Sequence, residues 1–207
     1  MGTGSSFSAV IKLLFLGLLL FASLFVVYTF GSVISNEISF YTKEFSEEIT
    51  GLSSNDIRTI DTHFSIYIPK IDVYALITAN VNLYDPGQYL PILHKGIAHV
   101  EGTVFPGQNG NVYLVAHSVD SFYSAGRYNA DFYLLYKLEP EDEIYLYFEN
   151  KNISYNVTRK RIIYPDEVDY FGTFKSGRSL TLQSAYPPGT FFKRLIIEAQ
   201  ESNSIYK

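Results

Sequence analysis

The chain contains no cysteine. That absence excludes disulfides, iron–sulfur clusters, Cys-ligated zinc and any thiol nucleophile, and it tolerates an oxidising exterior without requiring one. Tryptophan is missing as well, and methionine occurs once. Positive charge is in the minority, with 16 Lys and Arg against 21 Asp and Glu for a net charge of −5. The one basic run, Arg159-Lys160-Arg161, reads as the solvated face of a strand, so nucleic acid is not an expected partner. Of the four histidines, His63 falls at the end of a linker, and His94 and His99 lack the i,i+4 spacing and the acidic companions of a metal site. The carboxylates from Glu139 to Glu143 lack calcium-loop spacing. No metal and no cofactor are therefore expected. Internal repeats and low-complexity tracts are also lacking.

What the chain does have is aromatic residues, 18 Tyr and 16 Phe in 207 positions, which favour pleated, half-buried surfaces. It also has one long apolar run, "LLFLGLLLFASLFVVYTFGSVI" at 13–34, uncharged and long enough to cross a bilayer as a helix. Lys12 is the only charged side chain before Glu37, and acidic residues follow. The positive-inside bias then places residues 1–12 in the cytoplasm and the rest of the chain outside, as a single-pass signal anchor at the cell membrane. Residues 35–63 read as stalk and linker, with Ile38, Tyr41, Phe45, Ile49 and Leu52 at helical spacing before the breaker "GLSSND".

From 64 to 207 the pattern changes to short strands between turn residues. "FSIYIPKIDVYALI" at 64–77 is strand-like, with Pro69 marking a strand start or bulge. "GNVYLVAH" at 110–117 is an apolar run released by a Gly-Asn turn. "DEIYLYFE" and "ISYNVTRKRIIY" flank a hairpin connection at "NKN", and "SLTLQSA" and "FKRLIIEAQ" surround "YPPGT". One helix is expected, over 129–138 with Asn129 as its cap; His94 and His99 fall in an expected loop. The series describes an all-β domain, an antiparallel barrel or sandwich. His117 stands out because it ends a buried strand, where a side chain can project into a cleft.

The segment "TLQSAYPPGTFFKRL" resembles the signature of sortases, membrane-anchored cysteine transpeptidases of the bacterial surface. Their pattern runs Thr-Leu-x-Thr-Cys-x-Pro-x-Gly-Thr-x-x-x-Arg-Leu. Thr181, Leu182, Pro187, Gly189, Thr190, Arg194 and Leu195 match it in register, Ser184 replaces Thr, and Ala185 stands where the Cys belongs. "GTVFPGQNGNVYLVAHS" is similar to the family's approach to its catalytic His, which maps to His117, and "IYIPKIDV" at 66–73 is similar to its first strand. The resemblance covers roughly 64–200 and implies a closed antiparallel sortase-type β-barrel with short helices, preceded by one N-terminal transmembrane helix.

By that resemblance His117 is the acid/base and Arg194 orients substrate or stabilises an oxyanion, with Asp120, Thr181 and Ser184 as candidate supports. The implied partners are surface proteins bearing a sorting signal and, for an active member, an amine acceptor: a cell-wall precursor or a pilin lysine. The implied role is protein anchoring or pilus-type transpeptidation. Ala185 cannot attack a carbonyl, so the chain as written is expected to be catalytically inactive. It is either an engineered Cys-to-Ala form or a naturally degenerate member. Ser184 is adjacent to Ala185 on a strand, and adjacent strand residues face opposite sides, so it is not expected to replace the nucleophile. The alternative function is a non-catalytic peptide-binding or structural surface module on the same fold.

Overall fold

The computed structural model describes residues 11–27, 37–38, 41–42, 63–118, 132–168, 177–188 and 190–202. Residues 11–27 form helix α1, whose leucines and phenylalanines are all exposed. Among the described residues no helix is long and apolar enough to cross a membrane. The expected span runs on to residue 34, and its last part, 28–34, lies outside the described residues. Residues 37–38 and 41–42 are helical, as the stalk spacing predicts, but Ile38 is 58% exposed.

Eight strands close into a barrel: β1 (Phe64–Ile68), β2 (Val73–Val81), β3 (Ile97–Val100), β4 (Gly110–Val115), β5 (Glu143–Phe148), β6 (Lys151–Ile163), β7 (Arg178–Tyr186) and β8 (Lys193–Glu201). Their order around the ring is β1-β2-β3-β4-β7-β8-β6-β5. The expected single stretch 64–77 is instead a hairpin. Pro69 cannot donate to a ladder, and it starts a 3₁₀ turn (Pro69–Ile71) that Asp72 closes at φ 50°, its N–H bonded to the Pro69 carbonyl. The β5–β6 turn is Glu149-Asn150, one step earlier than "NKN". Both residues have positive φ (48° and 62°), the twist that a two-residue hairpin requires.

Two pairings correct the antiparallel expectation: β2 with β3 and β4 with β7 run parallel. A parallel pair needs a crossover rather than a hairpin. Helix α2 (Pro86–Leu93), which the sequence reading passes over as loop, supplies the β2–β3 crossover. Its start has a physical cause: the Asp85 carboxylate accepts the Gly87 N–H at 3.0 Å, and Pro86 occupies the first turn. The helix expected over 129–138 shrinks to a 3₁₀ helix, Tyr133–Lys137, whose N-cap Phe132 makes no side-chain capping bond. Asn129 lies outside the described residues.

The interior is filled by alternate residues of every strand, among them Ile66, Ile68, Leu114, Ile144, Leu146, Leu180, Leu182 and Ile197, all at zero exposure. Each such side chain contributes about 1.5–3 kcal/mol by leaving water. Phe132, Leu135 and Leu138 are likewise fully buried in this core. A second, smaller cluster of Val81, Leu93, Ala98, Val100, Tyr113 and Val115 lies on the other side of the sheet, with Tyr89 and Ile92 of α2 packed on it. The wall formed by β3 and β4 is thus covered on both faces.

Candidate functional site

Parallel pairing of β4 with β7 sets Val115 opposite Gln183, and the Ala116 N–H extends the ladder by bonding the Gln183 carbonyl at 3.2 Å. Two residues further on each strand stand His117 and Ala185. Strand side chains alternate, so both share the outer face with Tyr113, Val115 and Gln183. On the other side of β7, the antiparallel β8 places Arg194 directly across from Ala185. The fold therefore brings His117, Ala185 and Arg194 to one end of three neighbouring strands.

Polar side chains stitch this register. Asn111 Oδ1 accepts from both Ser179 and Thr181 hydroxyls at 3.0 Å, tying β4 to β7. Tyr113 Oη donates to Gln183 Oε1 at 2.7 Å, both side chains being buried. Thr181 is therefore committed to the ladder, four positions from Ala185, and is not brought to the site. Ser184 faces the interior, opposite Leu195, at 2% exposure, and its hydroxyl has no hydrogen-bond partner among the described residues. Asp120 lies outside the described residues.

Arg194 Nη1 donates to the carbonyls of Lys193 (3.1 Å) and Phe191 (3.3 Å), holding the guanidinium over its own turn. A guanidinium has five N–H donors, so capacity remains for a bound carbonyl or carboxylate. The carbonyl of His117 accepts the Phe132 N–H at 3.3 Å. Its ring lies against His94, with centroids 5.6 Å apart and planes tilted by 40°. His94 is a residue that the sequence reading misses: it is not in a loop but at the C-cap of α2. The Asp85-Pro86 start signal foretells that helix, but not which strand end the helix would point toward.

His99 also leaves its expected loop, to lie in β3 with zero exposure. The Asn80 N–H donates to its Nδ1 at 3.3 Å, so Nε2 carries the proton and donates to the Val104 carbonyl at 3.1 Å, with Thr103 Oγ1 at 2.9 Å. Burial lowers its pKa below the ordinary 6.5. This imidazole is neutral and structural. Among the described residues no group of three or more His, Asp or Glu is placed to hold a metal ion.

The rim thus offers an imidazole, a guanidinium and, between them, a methyl group. It can orient a peptide carbonyl but has no lone pair at position 185 with which to attack one.

The Sortase domain family matches residues 66–202, well over half of the chain. No curated protein matches at a significant level. Solved structures do. Sortase C-1 from Actinomyces oris is 23% identical over 70% of this chain and 77% of its own, with a TM-score of 0.57. A Clostridium perfringens Sortase D5 transpeptidase is 24% identical, covering 69% and 80%, with a TM-score of 0.55. Sortase A from Corynebacterium diphtheriae, a lid mutant, is 19% identical, covering 72% and 75%, with a TM-score of 0.56. At these identities the solved structures speak for the fold, an eight-stranded closed barrel, while the family match spans β1 to β8 together with the His117, Ala185 and Arg194 positions. On that match this chain belongs to the sortase family.

Proposed function

We propose that this protein binds the sorting-signal peptide of surface proteins across the His117–Ala185–Arg194 rim and holds it without turnover. The observation that carries the reading is the convergence of β4, β7 and β8 on a position occupied by a methyl group, with an imidazole and a guanidinium beside it. A peptide carbonyl seated there meets hydrogen-bond donors but no nucleophile. With a thiol at 185, the same rim is arranged for thioester formation. The thiolate would attack the scissile carbonyl, Arg194 would stabilise the developing oxyanion, and the His117 imidazolium would give its proton to the departing amine as the C–N bond breaks. An incoming amine, from a cell-wall precursor or a pilin lysine, would then take the acyl group and release the thiol. The run 13–34 anchors the barrel in the bacterial membrane, N-terminus inside, with the rim on the exterior side.

The test uses the full chain in nanodiscs with fluorogenic sorting-motif peptides. The unmodified chain binds such a peptide and does not cleave it. Ala185→Cys gains thiol-probe reactivity and cleavage, by a factor on the order of 10⁴–10⁶, as expected when the nucleophile of a cooperative site is supplied. Adding His117→Ala removes that gain. Cleavage by the unmodified chain sinks the inactive reading, and a folded Ala185→Cys variant that stays inert sinks the site assignment. Failure of the unmodified chain to bind any sorting-motif peptide favours a structural surface role instead.

A further inference from the structure

The helical turn before the barrel touches it through two residues one turn apart. Tyr136 Oη donates to Glu37 Oε1, and Lys137 Nζ lies 3.5 Å from Glu37 Oε2. The same ammonium donates to Tyr41 Oη at 2.9 Å and sits 4.5 Å from the Tyr41 ring centre and 5.1 Å from that of Tyr136. Side-chain exposure is 17% for Lys137 and 25% for Glu37. This is not the isolated, solvated ion pair that contributes little; it is a network of charge-assisted and cation–π contacts partly withdrawn from water. Burial, then the Glu37 charge, pushes the Tyr133 hydroxyl up to about 12, in keeping with a carboxylate held against the barrel.

The element so gripped is the Tyr133–Lys137 3₁₀ helix, whose N-cap residue Phe132 donates its N–H to the His117 carbonyl. We propose that Glu37 and Tyr41 are positioning residues, strapping the pre-barrel helix to the 3₁₀ helix that holds His117 and so fixing the imidazole at the rim. The proposal rests on His117 being the working imidazole, but its test is read without turnover, so its failure and that of the peptide-binding reading are separable.

The absence of cysteine makes the first measurement clean, because Ile38→Cys with Lys160→Cys introduces the only two thiols in the full chain and leaves every strap residue in place, Lys160 lying beside the strap with its Nζ on the Tyr136 carbonyl. A short bis-maleimide should join them about ten-fold faster than it does when Glu37→Gln and Tyr41→Phe are added, the order of advantage of a held separation over a flexible tether. Equal rates overturn the strap. The second measurement follows the His117 ring signals by NMR in 13C-histidine-labelled chain, assigned by their loss in His117→Gln. Glu37→Gln with Tyr41→Phe should shift and broaden them. Arg178→Met, which breaks the Arg178–Glu201 bridge at the end of β7 opposite Ala185, should not. A strap that cross-links while its loss leaves the His117 signals unmoved overturns the positioning role, reducing the contact to a structural one.

Discussion

Along β7 the residues facing the interior are Leu180, Leu182 and Ser184, and those facing outward are Thr181, Gln183 and Ala185. Both rows are buried up to Ser184. The inner row fills volume and makes few polar demands. The outer row is polar, and there each buried group is bonded: Thr181 to Asn111, Gln183 to Tyr113. Such bonds add little net stability but are costly to leave unmade, so they fix which residues of β4 and β7 stand opposite one another. One face decides that a barrel forms; the other decides that His117 arrives beside Ala185.

This division is sharpest in a pair of substitutions. Leu182→Ala should cost about 2–5 kcal/mol in urea or thermal denaturation, through lost transfer energy plus the cavity left in the core. Gln183→Ala should cost about 0.5–1.5 kcal/mol, the net worth of its hydrogen bond from Tyr113. In the Ala185→Cys background it should lower cleavage more than its stability cost predicts. Equal destabilisation by the two changes would break the distinction between the faces.

Polar groups that point inward can be compared in the same way. His99 is satisfied at both ring nitrogens only as the neutral tautomer, and burial keeps its folded-state pKa below 6.5. The unfolded chain therefore takes up the proton first. The stability contributed by neutral His99 is complete above pH 6.5 and is lost as pH falls below it, toward the folded value. The slope is at most about 1.4 kcal/mol per pH unit. Urea midpoints from neutral pH down to mildly acidic should show this loss, and His99→Gln should flatten it. An unchanged slope would mean that His99 takes up its proton as readily in the folded state as in the unfolded.

Much of the fold is legible in the alternation. "SLTLQ" places Leu180 and Leu182 on one face without help, and the three motifs place His117 and Arg194 on strand ends in the right order. The two parallel pairings are not legible, because pairing direction depends on connections rather than on strand composition. Helix α2 hides behind Pro86 and Pro91, which read as breakers although the first is also a helix starter. His94 is illegible for the same reason: it reaches His117 only because that crossover folds back over the outer face. At the pre-barrel turn the apolar spacing of Ile38 and Tyr41 draws the eye, yet the contact is made by Glu37 and by the hydroxyl and ring of Tyr41. A carboxylate one position off an apolar stripe carries no periodic signal.

Ser184 is the exception on the inner face, and it carries the smallest expected effect. Its hydroxyl is buried between leucines with no partner among the described residues, so folding strips it of water for nothing in return. An unsatisfied buried hydroxyl costs roughly 1–3 kcal/mol, and removing it leaves a void of a single atom. The two terms oppose, and Ser184→Ala should leave stability within about 1 kcal/mol of the parent on the stabilising side, a rise of some 2–4 °C in Tm. A clear loss instead would show that the hydroxyl is bonded, through water or to a segment outside the described residues. The same substitution separates the two faces chemically. A serine acting in place of the missing thiol would have to reach His117, which lies across the sheet from it. Ser184→Ala in the Ala185→Cys background should therefore leave cleavage unchanged while the melting temperature rises.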